Sequence, residues 1–110
     1  MQPPYFEAPA SDAERLHPAD LVGACFEHGT EALLLDDGAL PPDFFDLSSG
    51  VAGELIQRVV NYGLRMAAVV PDPAIHSPSF QDFTREASRS GRFRFFRTRA
   101  EAVQWLLTPG

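Results

Sequence analysis

The side chains best suited to binding chemistry lie along one stretch of the sequence. Glu54, Gln57 and Asn61 follow one another at spacings of three and four residues, and Tyr62 comes next. Such spacings place side chains on one face of a helix, so we expect a polar stripe with an aromatic ring at its end. With Asp46 from the preceding loop, these groups could supply the few polar contacts that orient a bound ligand. We therefore take them as the candidate binding or interface residues.

The same stripe also has a purely structural interpretation. Glu54 and Arg58 are four residues apart and can form an ion pair on the helix surface. Asn61 lies near the expected helix end, where its side chain can bond to the backbone. Whether the stripe faces solvent, a cavity or another subunit decides between the two interpretations.

The sequence contains no pattern typical of an enzyme's reacting groups. Its three histidines, at positions 17, 28 and 76, lack the spacing that puts two metal ligands on one helical face. Its glycines do not form a nucleotide-binding loop, and the chain contains no Lys. No G-x-S-x-G turn surrounds Ser48. We therefore expect a non-enzymatic protein with no catalytic residue, metal site or cofactor.

The loop before the polar stripe is acidic. Its aspartates come soon after a predicted strand, where α/β proteins tend to bind ligands, but a solvated loop is the more common explanation. They are Asp36, Asp37, Asp43 and Asp46. The Ser48–Ser49–Gly50 segment that follows can cap a helix, because serine side chains accept hydrogen bonds from first-turn amides.

Charge is distributed unevenly between the two halves of the chain. Residues 1–57 carry eleven acids and one arginine, whereas residues 58–110 carry eight arginines and four acids. Arg92 and Arg94 fall on the same side of a predicted strand and could form a basic patch. The net charge of −6 nevertheless opposes binding to a polyanion. We expect no nucleic-acid partner.

The chain has no apolar run near the roughly 18 residues that span a membrane. Its first ten residues, MQPPYFEAPA, have neither the basic start nor the apolar stretch of a signal peptide. Cys25 is alone, cannot form an intramolecular disulfide, and is expected to be buried. We therefore expect a cytoplasmic protein without membrane contact.

Alternating helical and strand patterns predict the fold. Apolar runs at 31–36 and 64–70 and the arginine- and phenylalanine-rich segment at 92–97 indicate three strands, and helical patterns cover 18–27, 50–62, 77–88 and the residues after Thr98. The order α-β-α-β-α-β-α predicts an α/β fold with a small, mainly parallel sheet. The apolar face of the second helix should be Val51, Leu55, Ile56, Val59 and Val60. We expect one domain over residues 16–108, preceded by an extended, proline-containing arm at residues 1–15.

Two segments resemble an uncharacterised bacterial family, domain-of-unknown-function family 4180. Its A-G-E, Gln and Asn-Tyr signature is similar to Ala52, Gly53, Glu54, Gln57, Asn61 and Tyr62. Its second motif, D-F followed by Glu, Ser and Asn and an aromatic strand, is similar to DFTREASRSGRFRFF at 82–96, with Glu86, Ala87 and Ser88 in those three positions. The resemblance extends over residues 19–107. It implies two N-terminal strands that the sequence pattern lacks, so the chain is expected to be short at its N-terminus.

A looser resemblance is to anti-sigma-factor antagonist (STAS) domains, which share the alternation of helices and strands. Those domains carry Asp-Ser-Ser-Gly at the start of a helix, and the first serine accepts phosphate from a partner kinase. The similar segment here is Asp46-Leu47-Ser48-Ser49-Gly50, with Leu47 interposed. The resemblance makes Ser48 a candidate phosphorylation site.

Two functional hypotheses follow from these observations. The first is a regulatory or protein-interaction module that uses the loop at 43–49 and the exposed side of the following helix. The second is a small-molecule binding domain in which the polar stripe makes the contacts. A three-stranded sheet without its N-terminal strands would leave an open edge, so we also expect self-association, with a homodimer as the simplest form.

Overall fold

The computed structural model describes residues 4–8 and 17–108. The strands are β1 Phe6–Glu7, β2 Ala32–Leu35, β3 Arg65–Val69 and β4 Phe93–Phe96. The helices are α1 Pro18–His28, α2 Pro42–Phe45, α3 Val51–Asn61, α4 Pro78–Ala87 and α5 Arg99–Leu107. Short 3-10 turns lie at Asp37–Ala39, Leu47–Ser49, Pro73–Ile75 and Ser88–Ser90. The three strands expected from apolar runs are present, and their ends fall within one residue of the expected positions.

The sheet is entirely parallel, with its strands in the order β1-β2-β3-β4. Leu33 of β2 lies beside Met66 of β3, and Met66 lies beside Phe93 of β4. Helices connect each strand to its parallel neighbour, as a parallel sheet requires. The predicted α/β fold with a small parallel sheet is confirmed.

The structure adds β1 to the three predicted strands. Phe6 and Glu7 pair with Leu33 and Leu34, and the Ala8 amide donates to the Leu34 carbonyl at 3.0 Å. The N-terminal arm therefore contributes a strand to the sheet edge that the sequence pattern leaves open. Two residues are too few to show a side-chain period, which is why no pattern predicts β1. The rest of the arm, residues 1–3 and 9–15, lies outside the described residues.

Helices pack on both faces of the sheet and form two apolar clusters. The larger cluster lies between one face and helices α1 to α4, and it includes Leu33, Met66, Phe93, Cys25, Leu55 and Phe80. The smaller cluster lies between the other face and α5, and it includes Leu34, Ala67, Val69, Ala102 and Leu106. Burial on both faces explains why β2 is an uninterrupted run of apolar residues.

The Arg65 side chain connects strand β3 to the C-terminal end of α5 by hydrogen bonds. Its guanidinium donates to the carbonyl oxygens of Trp105 at 3.0 Å and Thr108 at 2.9 Å. Its Cζ lies 4.3 Å from the centroid of the Trp105 ring. A cation at this position also complements the negative end of the helix dipole. Among the described residues, no helix is long and apolar enough to cross a membrane.

Candidate functional site

The candidate site is built on α3, whose two sides differ in polarity. Leu55 and Val59 are fully buried, and Val51 and Ile56 are partly buried against the larger cluster. Val60, expected on the buried side, is instead 42% exposed, because it lies about 100° around the helix from Val59. The remaining surface of α3 carries the polar residues.

Four of the five predicted site residues lie together on that surface. Glu54, Gln57, Asn61 and Tyr62 line a groove of about 410 Å³ with Arg58. All four are exposed, so the stripe faces solvent in the single chain. In the isolated chain, the polar stripe therefore borders an open groove rather than an enclosed cavity.

Part of the polar stripe is occupied by the expected ion pair. The Arg58 Nε atom lies 3.1 Å from Glu54 Oε2 across one helical turn. Both side chains are substantially exposed, so this pair contributes less than about 1 kcal/mol to the fold. Within the described part of the chain, the Gln57 and Asn61 amides make no side-chain hydrogen bond. The groove thus keeps two polar groups available for an outside partner.

A pair of exposed aromatic rings extends the groove. Tyr62 and Phe26, from the C-terminal end of α1, meet edge to face with centroids 5.6 Å apart. Both rings also line a hollow of about 560 Å³ at the amino-terminal ends of β2 and β3. The helical pattern of α1 groups Phe26 with buried Val22 and Cys25, but the ring is 57% exposed. The sequence therefore misses Phe26 as a surface residue, although its place in the last turn before Gly29 is a usable signal.

Asp46 does not join the groove and serves the loop instead. Its Oδ1 atom accepts from the Ser48 amide at 3.0 Å and from the Ser48 hydroxyl at 2.6 Å. The predicted cap comes from Ser49: its Oγ atom accepts from the amide of Val51, the first residue of α3, at 3.3 Å. Ser48 does not cap the helix, because Asp46 holds it in the preceding 3-10 turn, and the helix begins after Gly50, which has a φ of 75°. Ser48 is exposed, and its phosphorylation stays a prediction.

Gly53 lies within the exposed surface of α3. A Cβ atom built at this position would have no heavy atom of another residue within 4 Å, apart from its chain neighbours and the backbone of its own helix. The fold therefore has room for a side chain here. The glycine leaves a low point on the helix surface beside Glu54.

Metal ligands are not gathered at this surface. Within residues 4–8 and 17–108, no three His, Cys, Asp or Glu side chains lie close enough together to hold a metal ion. Cys25 is one of the residues around the hollow, but its side chain is fully buried, and burial raises the pKa of the thiol to about 11. A thiol with this pKa is protonated at neutral pH and is a poor nucleophile.

Fold and site together define a small α/β domain with an all-parallel sheet and a polar groove on the outer face of one helix. The family model described as "Domain of unknown function (DUF4180)" matches residues 10–106, so the chain belongs to this family. No curated protein and no solved structure matches the chain. The resemblance to STAS domains stays a prediction. The residues of the family signature on α3 include the four that line the groove.

Proposed function

We propose that this chain is a non-enzymatic protein-interaction module that contacts its partner through the outer face of α3 and the neighbouring Phe26. The exposed Phe26–Tyr62 pair is the observation that carries this proposal. The two side chains are 57% and 54% exposed and hold each other edge to face. Exposed aromatic rings beside polar groups are typical of the residues that contribute most to protein interfaces.

Gly53 is a second observation that favours an interface on the outer face of α3. A glycine inside a helix destabilises it by roughly 0.5–1 kcal/mol relative to alanine. No contact within the fold requires a glycine at position 53, because an added Cβ would meet open space. A partner's backbone could approach α3 closely at this low point, and the amides of Gln57 and Asn61 would supply hydrogen bonds beside it.

The small-molecule alternative has weaker support. The groove volume of about 410 Å³ is sufficient for a small ligand. Ligand pockets, however, are mainly apolar and enclose most of the ligand surface. This groove has one aromatic wall, and four of its five lining side chains are exposed. An open, polar groove with an aromatic edge suits a protein partner better.

A second copy of the chain is one partner that fits the proposal. Two-fold pairing is the commonest assembly of soluble proteins, and it brings the same surface of each copy together. The open sheet edge that the sequence predicts is partly covered, because β1 pairs with β2. The predicted homodimer therefore depends on the helical surface, and light scattering across micromolar concentrations measures it.

Modification of Ser48 would act on the same surface. The exposed hydroxyl lies in the turn that leads into α3. A phosphate there would add about 1.5–2 negative charges beside Asp46 and change the charge that a partner meets. Intact-mass measurement of protein purified from its own host checks for the modified form.

Site-specific photocrosslinking in the native host tests the proposal. A photoreactive phenylalanine analogue at position 57 should give a discrete protein adduct, whereas the same group at exposed position 85 on α4 should not. Tyr62→Ser should abolish the adduct. The matched control is Ile75→Ser, which removes a side chain that is 74% exposed elsewhere on the surface and should leave the adduct intact.

The identity of the adduct separates the two kinds of partner. A crosslink between two copies of this chain identifies a homodimer, and a crosslink to another protein identifies a heterologous partner. No adduct at position 57 beyond the level seen at position 85 contradicts the proposal. Retention of the adduct in Tyr62→Ser also contradicts it.

A further inference from the structure

A separate cavity lies at the opposite end of the sheet from the Phe26–Tyr62 pair. It has a volume of about 190 Å³ and lies between the carboxyl ends of β3 and β4 and the helix α4. In open parallel sheets, ligands bind beyond the carboxyl ends of the strands. The cavity lies at this end of the sheet.

Five of the eight residues that line the cavity are apolar, and three of these are aromatic. Phe80, Phe95 and Phe96 line it, and Phe80 is 1% exposed and belongs to the larger apolar cluster. The Phe80 and Phe95 rings pack nearly perpendicular with centroids 5.9 Å apart. Rings held in this way form a rigid apolar surface against which a flat or branched apolar group can pack.

The volume limits the size of the occupant. An apolar cavity of about 150 Å³ holds a benzene molecule, whereas cofactor and drug-sized pockets occupy roughly 300–1,000 Å³. A cavity of about 190 Å³ therefore fits one six-membered ring or a branched aliphatic group with one small substituent.

Arg97 indicates that the small substituent of the bound molecule carries a negative charge. This exposed residue lines the cavity, and it alone among the described arginines has no hydrogen bond, ion pair or ring contact. The other two polar lining residues already donate to backbone oxygens: Gln81 to His76 at 3.0 Å and Thr84 to Gln81 at 2.7 Å. None of the lining residues is acidic. The free guanidinium is therefore the donor that an incoming anion would meet, and its planar fork suits a carboxylate.

We propose that this cavity binds a small monocarboxylate with a single aromatic or branched aliphatic group. The apolar group lies against the rings of Phe80 and Phe95, and the carboxylate pairs with Arg97. The Phe96 ring lies on the other face of the sheet, where it packs against Trp105. This assignment is independent of the interaction surface on α3, because it uses none of the same residues.

Titration of the full chain with benzoate, followed by amide NMR spectra, tests the proposal. Benzoate should shift the amide signals of Val70, Thr84 and Arg97 in a saturable way. Benzyl alcohol has the ring without the charge, and acetate has the charge without the ring. Each should bind at least about tenfold more weakly than benzoate. The same titration with isovalerate tests the branched aliphatic class.

Two arginine variants provide the matched comparison. Arg97→Gln should weaken benzoate binding by at least about tenfold, whereas Arg94→Gln, on the preceding strand β4 but outside the lining, should leave it unchanged. Arg97 is exposed, so its substitution leaves the core intact. Absence of saturable shifts with both acids, or equal binding by Arg97→Gln and the native chain, overturns the proposal.

Discussion

Burial determines the chemistry of Cys25. Its side chain is fully buried, and loss of contact with water raises the thiol pKa from 9.0 to about 11. In the unfolded chain the thiol ionises near its ordinary pKa, so the unfolded state releases its proton first as the pH rises. The free energy of unfolding should therefore fall between about pH 9 and pH 11 and be unaffected by this group below that range.

Urea titrations at pH 8 and pH 10 measure this dependence. Between these values the native chain should lose about 1 kcal/mol more stability than Cys25→Ala, which lacks the thiol. A thiol reagent at pH 8 should also react far more slowly with the folded chain than with the chain in urea. Equal losses of stability in the two proteins would refute the shift.

Leu55 is the core residue of α3 with the clearest expected cost of truncation. Its side chain is fully buried between the helix and the sheet. Leu55→Ala should lower the free energy of unfolding by about 2–5 kcal/mol, because it removes buried surface and leaves a cavity. Val60→Ala on the same helix, where the side chain is 42% exposed, should cost less than about 1 kcal/mol. Urea denaturation of both variants makes the comparison, and similar losses would contradict the burial of Leu55.

Residue patterns in the sequence indicate the part of the candidate site that lies on and next to α3. Glu54, Gln57, Asn61 and the adjoining Tyr62 could be predicted to share a surface, because helical spacing places them there. The contact between Tyr62 and Phe26 could not be predicted, because Phe26 lies on α1 and its position depends on how α1 packs. Asp46 was grouped with the stripe by proximity in the sequence, whereas its hydrogen bonds to Ser48 keep it in the loop.

At the scale of elements, two glycines of α3 have opposite roles. Gly50 precedes the helix with a φ of 75°, a conformation that costs other residues about 1–2 kcal/mol. Gly53 lies within the helix with open space around it. Gly50→Ala should therefore destabilise the fold by about 1–2 kcal/mol, whereas Gly53→Ala should stabilise it by about 0.5–1 kcal/mol. Thermal unfolding of the two variants tests the difference, and destabilisation by Gly53→Ala would mean that the fold itself requires that glycine.

The longer helices and strands could be predicted from the sequence, whereas the short β1 and α2 could not. Strands β2 to β4 could be predicted because apolar runs bounded by Gly, Pro and Ser have few other interpretations. The strand β1 spans one period of the strand pattern and the four-residue α2 little more than one helical turn, so neither shows a repeating pattern, and long-range contacts define them. In α2, for example, Phe44 is fully buried and packs edge to face with Phe80 of α4.

At the scale of the whole molecule, the two ends of the sheet separate the two proposed sites. Phe26 and Tyr62 precede β2 and β3, whereas the aromatic cavity follows β3 and β4. The strands between them are fully or largely buried and pair throughout their length. A ligand at one end and a protein at the other could therefore bind at the same time without a shared residue.

An ion pair between two residues that are far apart in the sequence joins the N-terminal strand to the last helix. The Arg99 guanidinium at the start of α5 donates to the Glu7 carboxylate of β1, and its Nε lies 4.0 Å from Asp36 Oδ2 after β2. The three side chains are 34–44% exposed, so the pairs should contribute less than about 1 kcal/mol to global stability. Their effect should instead be local, because β1 has only two residues and lies at the edge of the sheet.

Arg99→Gln should therefore release β1 without unfolding the domain. The Ala8 amide, which donates to Leu34, should exchange with solvent faster in this variant, whereas the amides of β3 should exchange at the native rate. The matched control is Arg89→Gln, which removes an exposed pair with Glu86 on the surface of α4 and should change neither rate. Hydrogen exchange followed by NMR makes the measurement. If Ala8 and the β3 amides accelerated together, β1 would be part of the cooperative core, and the ion pair would stabilise the whole sheet rather than its edge.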